Sequence, residues 1–203
     1  MERKHKSVDR FSIKTIEISG FAGALEALRL PYGGECKSIL QVQPFTIESS
    51  LSDQYDDVTA ASILNIHKSD IKLMETLVER GDEHAKILRG VVVWCKIDAP
   101  RYWWVECDTY RIGCERLSSE STMHIQGKGM PTDTLVELKE SLKEDTIQRR
   151  VWMFNYQTLR RIFIQRKNHR LPQWRVFCQW IKQLPYADRL ILAGLEDTEV
   201  TLL

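Results

Sequence analysis

From Phe11 to Ile18 apolar residues alternate with Lys, Glu and Ser, a period-two pattern that predicts a half-buried strand. Gly20 interrupts it, and Ala22–Leu30 (AGALEALRL) is built from strong helix formers up to the stop at Pro31 and Gly33-Gly34. The stretch from Gly33 to Ala61 reads as irregular or short-stranded, with Pro44 and an acidic patch at Asp53, Asp56 and Asp57. A second helix is predicted from Ser69, its N-cap, through Ile71, Met74, Leu77 and Val78 to Gly81. Lys86–Ile97 holds Gly-Val-Val-Val-Trp-Cys-Lys-Ile, a buried strand ended by Asp98-Ala-Pro100. Beyond the proline, Arg101–Gly113 predicts a helix with Tyr102, Val105, Thr109 and Ile112 on one face. Trp104, Cys107, Arg111 and Cys114 fall on a neighbouring face. A Ser-rich, glycine-bearing loop spans Leu117–Pro131, followed by an amphipathic helix over Thr134–Lys143. Two more helices are predicted at Asn155–His169, with Leu159, Ile162, Phe163 and Arg166 in one stripe, and at Trp174–Leu184.

These elements imply one α+β domain over 1–203, with residues 1–10 as a basic N-terminal arm. The 203 residues are 43% hydrophobic and 28% charged, a composition that excludes collagen, coiled coil and wholesale disorder. The longest apolar run, about Gly90–Cys95, is too short to span a bilayer, so no membrane partner is expected. The start, Met-Glu-Arg-Lys-His-Lys, leads into no apolar stretch, so no secretory signal is expected. Five cysteines without a CxxC pair fit reduced thiols, and the expected location is cytoplasmic.

The net charge of +1 conceals an asymmetry. Between Thr146 and Ala187 there is no Asp or Glu, while Arg149, Arg150, Arg160, Arg161, Arg166, Lys167, Arg170, Arg175 and Lys182 supply nine positive charges. Of 29 basic and 28 acidic residues, the remainder of the chain keeps 20 and 28, a balance of −8. Such a block needs an anionic partner or the acidic part of its own fold.

The generic catalytic templates fail. No glycine-rich phosphate loop, HExxH or zinc spacing is present; Cys107, Cys114 and His124 are seven and ten positions apart, and no metal is expected. Arg166 is more informative, because a guanidinium stands in its apolar stripe where leucine would be expected. It requires an anion, either a ligand or an internal carboxylate such as Glu106. Arg111 poses the same question beside Trp103, Trp104 and Tyr110, rings that could stack on a planar ligand.

In this order, four segments resemble the flavin-dependent thymidylate synthases: Phe11–Leu30, Ile71–His84 (IKLMETLVERGDEH), Val91–Gly113 (VVVWCKIDAPRYWWVECDTYRIG) and Asn155–Arg175 (NYQTLRRIFIQRKNHRLPQWR). The resemblance implies that family's α+β fold, a central antiparallel or mixed sheet with long helices. It places the flavin-contacting histidine on His84 and the third residue of an Arg-His-Arg signature on Arg111, 27 positions later. A ring-contacting arginine falls on Arg166, so His84, Arg111 and Arg166 form the implied FAD set. Glu120, Ser121 and Arg175 form the implied nucleotide set, with a two-residue insertion near Leu117. The departures from the family pattern are Thr109 and Tyr110 for Arg and His, Cys114 for Ser, and Met123 for a phosphate-gripping Arg.

If the family chemistry held, a folate-derived methylene would reach dUMP through flavin, with no side-chain nucleophile, in pockets between the subunits of a homotetramer. The eroded signature favours a different outcome: a diverged, phage- or prophage-type member that binds or sequesters an anionic nucleotide, or acts on a partner protein. A homo-oligomer, tetramer or dimer, is implied. A further alternative is nucleic-acid binding by the basic block, with Tyr156, Trp174 and Trp180 as stacking rings.

Overall fold

A computed structural model describes residues 10–36, 38–47 and 56–195. Its frame is one six-stranded sheet in the order β2-β3-β1-β4-β6-β5. The strands are β1 (Ser12–Ser19), β2 (Ile39–Ile47), β3 (Asp56–Asn65), β4 (Val92–Pro100), β5 (Cys114–Ser119) and β6 (Ile147–Asn155). All neighbours are antiparallel except β1 and β3, so the sheet is mixed. The helices are α1 (Phe21–Arg29), α2 (Lys68–Glu79), α3 (Ile87–Gly90), α4 (Arg101–Cys107), α5 (Thr122–Ile125), α6 (Thr132–Glu140), α7 (Tyr156–Arg166) and α8 (Pro172–Lys182). No described helix is long and apolar enough to cross a membrane.

The core lies on one face of this sheet. Along β4, Val93, Cys95, Ile97 and Ala99 are fully buried while the residues between them are half-buried. Against that face sit Trp103 and Trp104 of α4, Phe154 of β6, and Trp174 and Phe177 of α8, all fully buried. The rings meet edge-on or tilted, with Trp103–Trp174 centroids 4.6 Å apart and Trp103–Trp104 at 4.9 Å. Four of the five thiols, Cys95, Cys107, Cys114 and Cys178, belong to this core. Burial pushes Cys114 up to about 11 and Cys178 to about 12, so both stay protonated and unreactive at neutral pH.

The alternation in β1 carries a defect. Thr15 faces inward in step with Ile13; the register against β4 then shifts between Thr15 and Glu17, which leaves Ile16 and Glu17 both exposed and returns Ile18 to the core. Thr15 repays its burial by accepting a hydrogen bond from Trp180 Nε1 at 3.0 Å.

Several expectations need correction. The stretch from Gly33 to Ala61 contains β2 and most of β3, two paired strands of nine and ten residues. Helix α2 is capped by His67, whose ring accepts from the Ser69 amide, while the Ser69 hydroxyl meets Arg29 and His67. The helix after Pro100 ends at Cys107, six residues early, because the chain reverses there to enter β5. Gly113 makes that reversal at φ 73°, where a Cβ would stand 2.4–2.6 Å from the side chains of Asn155 and Thr158. Part of the Leu117–Pro131 loop is β5 and α5. Finally, β6 lies beside the central strand β4 although the pattern predicted no element there.

Candidate functional site

Asn155 starts α7 by accepting from the Thr158 amide at 2.8 Å, which turns Leu159, Ile162 and Phe163 into the core and carries Arg166 to the helix's last position. There Arg166 Nη1 donates to Glu106 Oε2 of α4 at 2.8 Å, and Nε donates to the Tyr110 hydroxyl at 2.9 Å. Trp174 Nε1 donates to the same Glu106 oxygen at 2.8 Å, and its ring lies 4.7 Å from the guanidinium carbon. The arginine is therefore the pin joining α4, α7 and α8, and its anion is the internal carboxylate.

His169 completes the cluster. Its Nε2 lies 2.8 Å from Arg166 Nη1 and 3.5 Å from Glu106 Oε2, and its Nδ1 accepts from the Leu171 amide at 3.2 Å. Burial, opposed by Glu106 and reinforced by Arg166, pulls this imidazole below its ordinary 6.5. The unfolded chain thus takes the proton first as pH falls, so this group's stabilisation is complete above 6.5 and declines below it. Urea midpoints at about pH 7.5 and pH 5.5 are expected to fall further in the wild type than in His169→Gln. Equal falls would deny the linkage.

The rest of the basic block is largely engaged as well. Arg149 grips Asp98 through Nε and Nη2 at 2.7 and 2.8 Å, its directly opposed partner across the β4–β6 pair. Arg150 donates to both Asp108 oxygens at 2.9 and 3.1 Å and lies 4.4 Å over Trp104. Arg161 stands 3.6 Å from Asp82, and Arg160 donates to the carbonyls of Ile191 and Ala193 at 2.8 Å each. The stacking rings of the nucleic-acid alternative are core residues: Tyr156 and Trp174 are fully buried and Trp180 nearly so. They cannot receive bases, which corrects that expectation.

Two clefts share no lining residue. The larger, about 760 Å³, lies between α1, the turn Leu30–Tyr32, the end of α2 and the segment leading into α3. Its floor is the small-residue face of the α1 segment, Gly20, Gly23, Ala24 and Ala27, and its rim carries Tyr32, Glu83, His84 and Lys86. Among the described residues these four rim side chains have no hydrogen-bond or ion-pair partner. The smaller cleft, about 400 Å³, lies at the β5–β6 end of the sheet and includes Glu120. Arg111 is exposed in the turn before β5, Ser121 precedes α5, and Arg175 is exposed on α8. No hydrogen bond or ion pair joins any two of His84, Arg111, Arg166, Glu120, Ser121 and Arg175. The sequence marks the floor of the larger cleft only by its small residues, Gly20 just before α1 and Gly23, Ala24 and Ala27 within it, which do not by themselves specify a cavity.

No protein-family model matches the sequence, and no curated protein does. Solved structures do. The chain superposes on flavin-dependent thymidylate synthase ThyX from Helicobacter pylori complexed with FAD and dUMP, at a TM-score of 0.60 and 11% identity, covering 88% of this chain and 97% of that one. A second structure of the same enzyme with FAD and dUMP gives 0.59 and 11%, over 88% and 96%. The fold is that of the flavin-dependent thymidylate synthases.

Within this thymidylate synthase fold, the residues implied for flavin do not fit one within a single protomer. His84 stands on the larger cleft without Arg111 or Arg166. Arg166 has Nε and Nη1 engaged and one face against Trp174, and the Tyr110 hydroxyl both receives Arg166 and donates to Gln165 at 2.8 Å. Among the described residues no group of three or more His, Cys, Asp or Glu is placed to hold a metal ion.

Proposed function

We propose that the protein is a nucleotide-binding member of this fold that takes an anionic, nucleotide-like ligand in the cleft at His84 and does not run the complete flavin-dependent transfer. The observation that carries the reading is the contrast between the two sets of polar groups. Arg166, Arg149 and Arg150 are clamped by internal carboxylates, whereas Tyr32, His84 and Lys86 stand unengaged over an apolar floor. A volume of about 760 Å³ falls within the 300–1,000 Å³ of ligand pockets, and few polar groups over an apolar floor is their usual composition. A heterocycle fits against Gly23 and Ala24, with Tyr32 beside it and Lys86 and His84 facing the anion. The eroded signature at Thr109, Tyr110, Cys114 and Met123 supports binding without transfer, as in a diverged phage-type protein.

The second reading, an active FAD-dependent thymidylate synthase, is favoured by the likeness to structures bound to FAD and dUMP. It needs His84, Arg111 and Arg166 around flavin and Glu120, Ser121 and Arg175 around the nucleotide, gathered from more than one subunit. Either reading takes a homo-oligomer, tetramer or dimer, as its assembly. The free thiols of all five cysteines support a cytoplasmic setting.

Thermal shifts with dUMP, dTMP and cyclic nucleotides, beside the absorption spectrum, test both readings. The purified protein is expected to be colourless and stabilised by at least one nucleotide. His84→Ala is expected to weaken that binding about 10-fold or more, the range of one charge-assisted hydrogen bond. Gly23→Phe, where a Cβ meets nothing within 4 Å, places a ring in the cleft and is expected to abolish the nucleotide shift while the unfolding curve stays cooperative. No nucleotide shift would sink the proposal, and a flavin band lost in His84→Ala would install the second reading.

A further inference from the structure

We propose that the smaller cleft is a separate binding site for a phosphorylated polyol. Three cations from three elements line it: Arg101 at the start of α4, Lys139 near the end of α6 and Arg150 in β6. None of them belongs to the positions implied by the sequence resemblance, and Glu120 is the one residue that does.

Their hydrogen bonds show which groups remain for a ligand. Arg150 is fixed on three sides: Nη1 on Asp108, Nε on Gln148 Oε1 at 3.0 Å, and its carbon over Trp104. Only Nη2 is left, on a guanidinium that loses no further freedom when it binds. Arg101 makes one long contact, Nη1 to the Leu142 carbonyl at 3.4 Å, and keeps its remaining N–H groups. Lys139 is exposed with no partner among the described residues. Arg150 is already matched by Asp108, so Arg101 and Lys139 leave the cleft two positive charges against the single carboxylate of Glu120. That is a cradle for a compact dianion.

Glu120 adds selectivity. Its Oε2 accepts from the Arg149 amide at 3.1 Å, and its backbone carbonyl accepts from Gln148 Nε2 at 3.0 Å, which holds the side chain in place. Oε1 remains an acceptor at the edge of a cationic pocket. A carboxylate there repels a bare anion and rewards hydroxyl donors. Cations for the phosphate and an acceptor for hydroxyls, within about 400 Å³, describe a sugar phosphate, free or as the ribose phosphate of a mononucleotide.

Calorimetric titration of the full chain with ribose 5-phosphate, UMP, ribose and inorganic phosphate tests this. Ribose 5-phosphate is expected to bind at least 10-fold more tightly than ribose or inorganic phosphate. Lys139→Ala, at an exposed position that leaves the fold alone, is expected to weaken it about 10-fold, and Arg101→Gln at least as much. His84→Ala is expected to leave it unchanged, which separates this site from the larger cleft. In the His84→Ala background, which removes the larger cleft's contribution, UMP binding equal to ribose 5-phosphate would identify a free sugar phosphate as the ligand; UMP at least 10-fold tighter would identify a mononucleotide. The proposal is overturned by absence of ribose 5-phosphate binding, by inorganic phosphate binding equally well, by indifference to Lys139→Ala, or by loss of binding in His84→Ala.

Discussion

Asp70→Ala is expected to destabilise the protein by about 3–5 kcal/mol, the range for removing one partner of a buried ion pair. Asp70 has no exposed surface, and it is the anchor on which three segments converge. From the end of α1, Arg29 donates Nε to Oδ1 at 2.7 Å and Nη2 to the same oxygen. From the stretch before β2, Ser38 donates its hydroxyl to Oδ2 at 2.6 Å, with the Cys36 sulfur 3.7 Å from that oxygen. The carboxylate itself sits in the first turn of α2, where the helix dipole favours a negative charge. Alanine leaves the guanidinium of Arg29, only 21% exposed, without its anion. The measurement is a urea or guanidinium unfolding curve of each protein at neutral pH. Asp70→Asn should recover part of the loss, because the amide oxygen still accepts while the charge is gone. A loss below about 1 kcal/mol in the alanine variant would show that the cluster is a solvated surface pair.

Gly20→Ala is expected to be of similar size for a steric reason. The residue precedes α1 at φ +91°, and a Cβ there would stand 1.9 Å from the Gly90 carbonyl oxygen. The clash is with backbone, so no rotamer change relieves it; α1 and α3 must separate. Left-handed strain and overpacking each cost about 1–3 kcal/mol, for a total near 2–6 kcal/mol. Gly20 and Gly90 both line the larger cleft, so the same change should open its floor and weaken nucleotide binding in whatever fraction remains folded. Gly23→Ala makes the contrast. It sits inside the helix with space around it and is expected to raise stability by about 0.5–1 kcal/mol. Unfolding midpoints of the two alanine variants separate these outcomes, and equal midpoints would deny the close approach of α1 and α3.

What could be read in advance followed the kind of information each element carries. β1, α1, α2, β4, α7 and α8 announce themselves through local periodicity, and each forms within a few residues of its expected span. β6 did not, because its first residues are Ile-Gln-Arg-Arg and a charged run reads as solvated surface. Arg149 becomes a strand residue only because Asp98 stands opposite it on β4, and that pairing lies 51 positions away. The Gly33–Ala61 stretch reads only as irregular or short-stranded for the related reason that its two long strands support each other. The site divides in the same way. The Arg166 stripe and its carboxylate Glu106 were both legible, since a cation in an apolar stripe demands a partner. The larger cleft was not, since a cavity is a property of how α1, α2 and α3 leave space, which no single segment encodes.

The internal pairing of the basic block has a kinetic consequence. A run of guanidinium groups facing water would project a field over a Debye length, about 8 Å at physiological salt, and draw anions in ahead of contact. Here Asp98, Asp108 and Glu106 pair with Arg149, Arg150 and Arg166 over distances near 3 Å and shorten the reach of those three charges. What reaches the solvent is a patchwork of short-ranged multipoles around a net charge of +1. Around those three pairs a ligand gains little long-range steering and is retained by what it touches. Salt dependence is then expected mainly at the smaller cleft, where Arg101 and Lys139 stay unmatched, and elsewhere selectivity resides in how long a molecule stays.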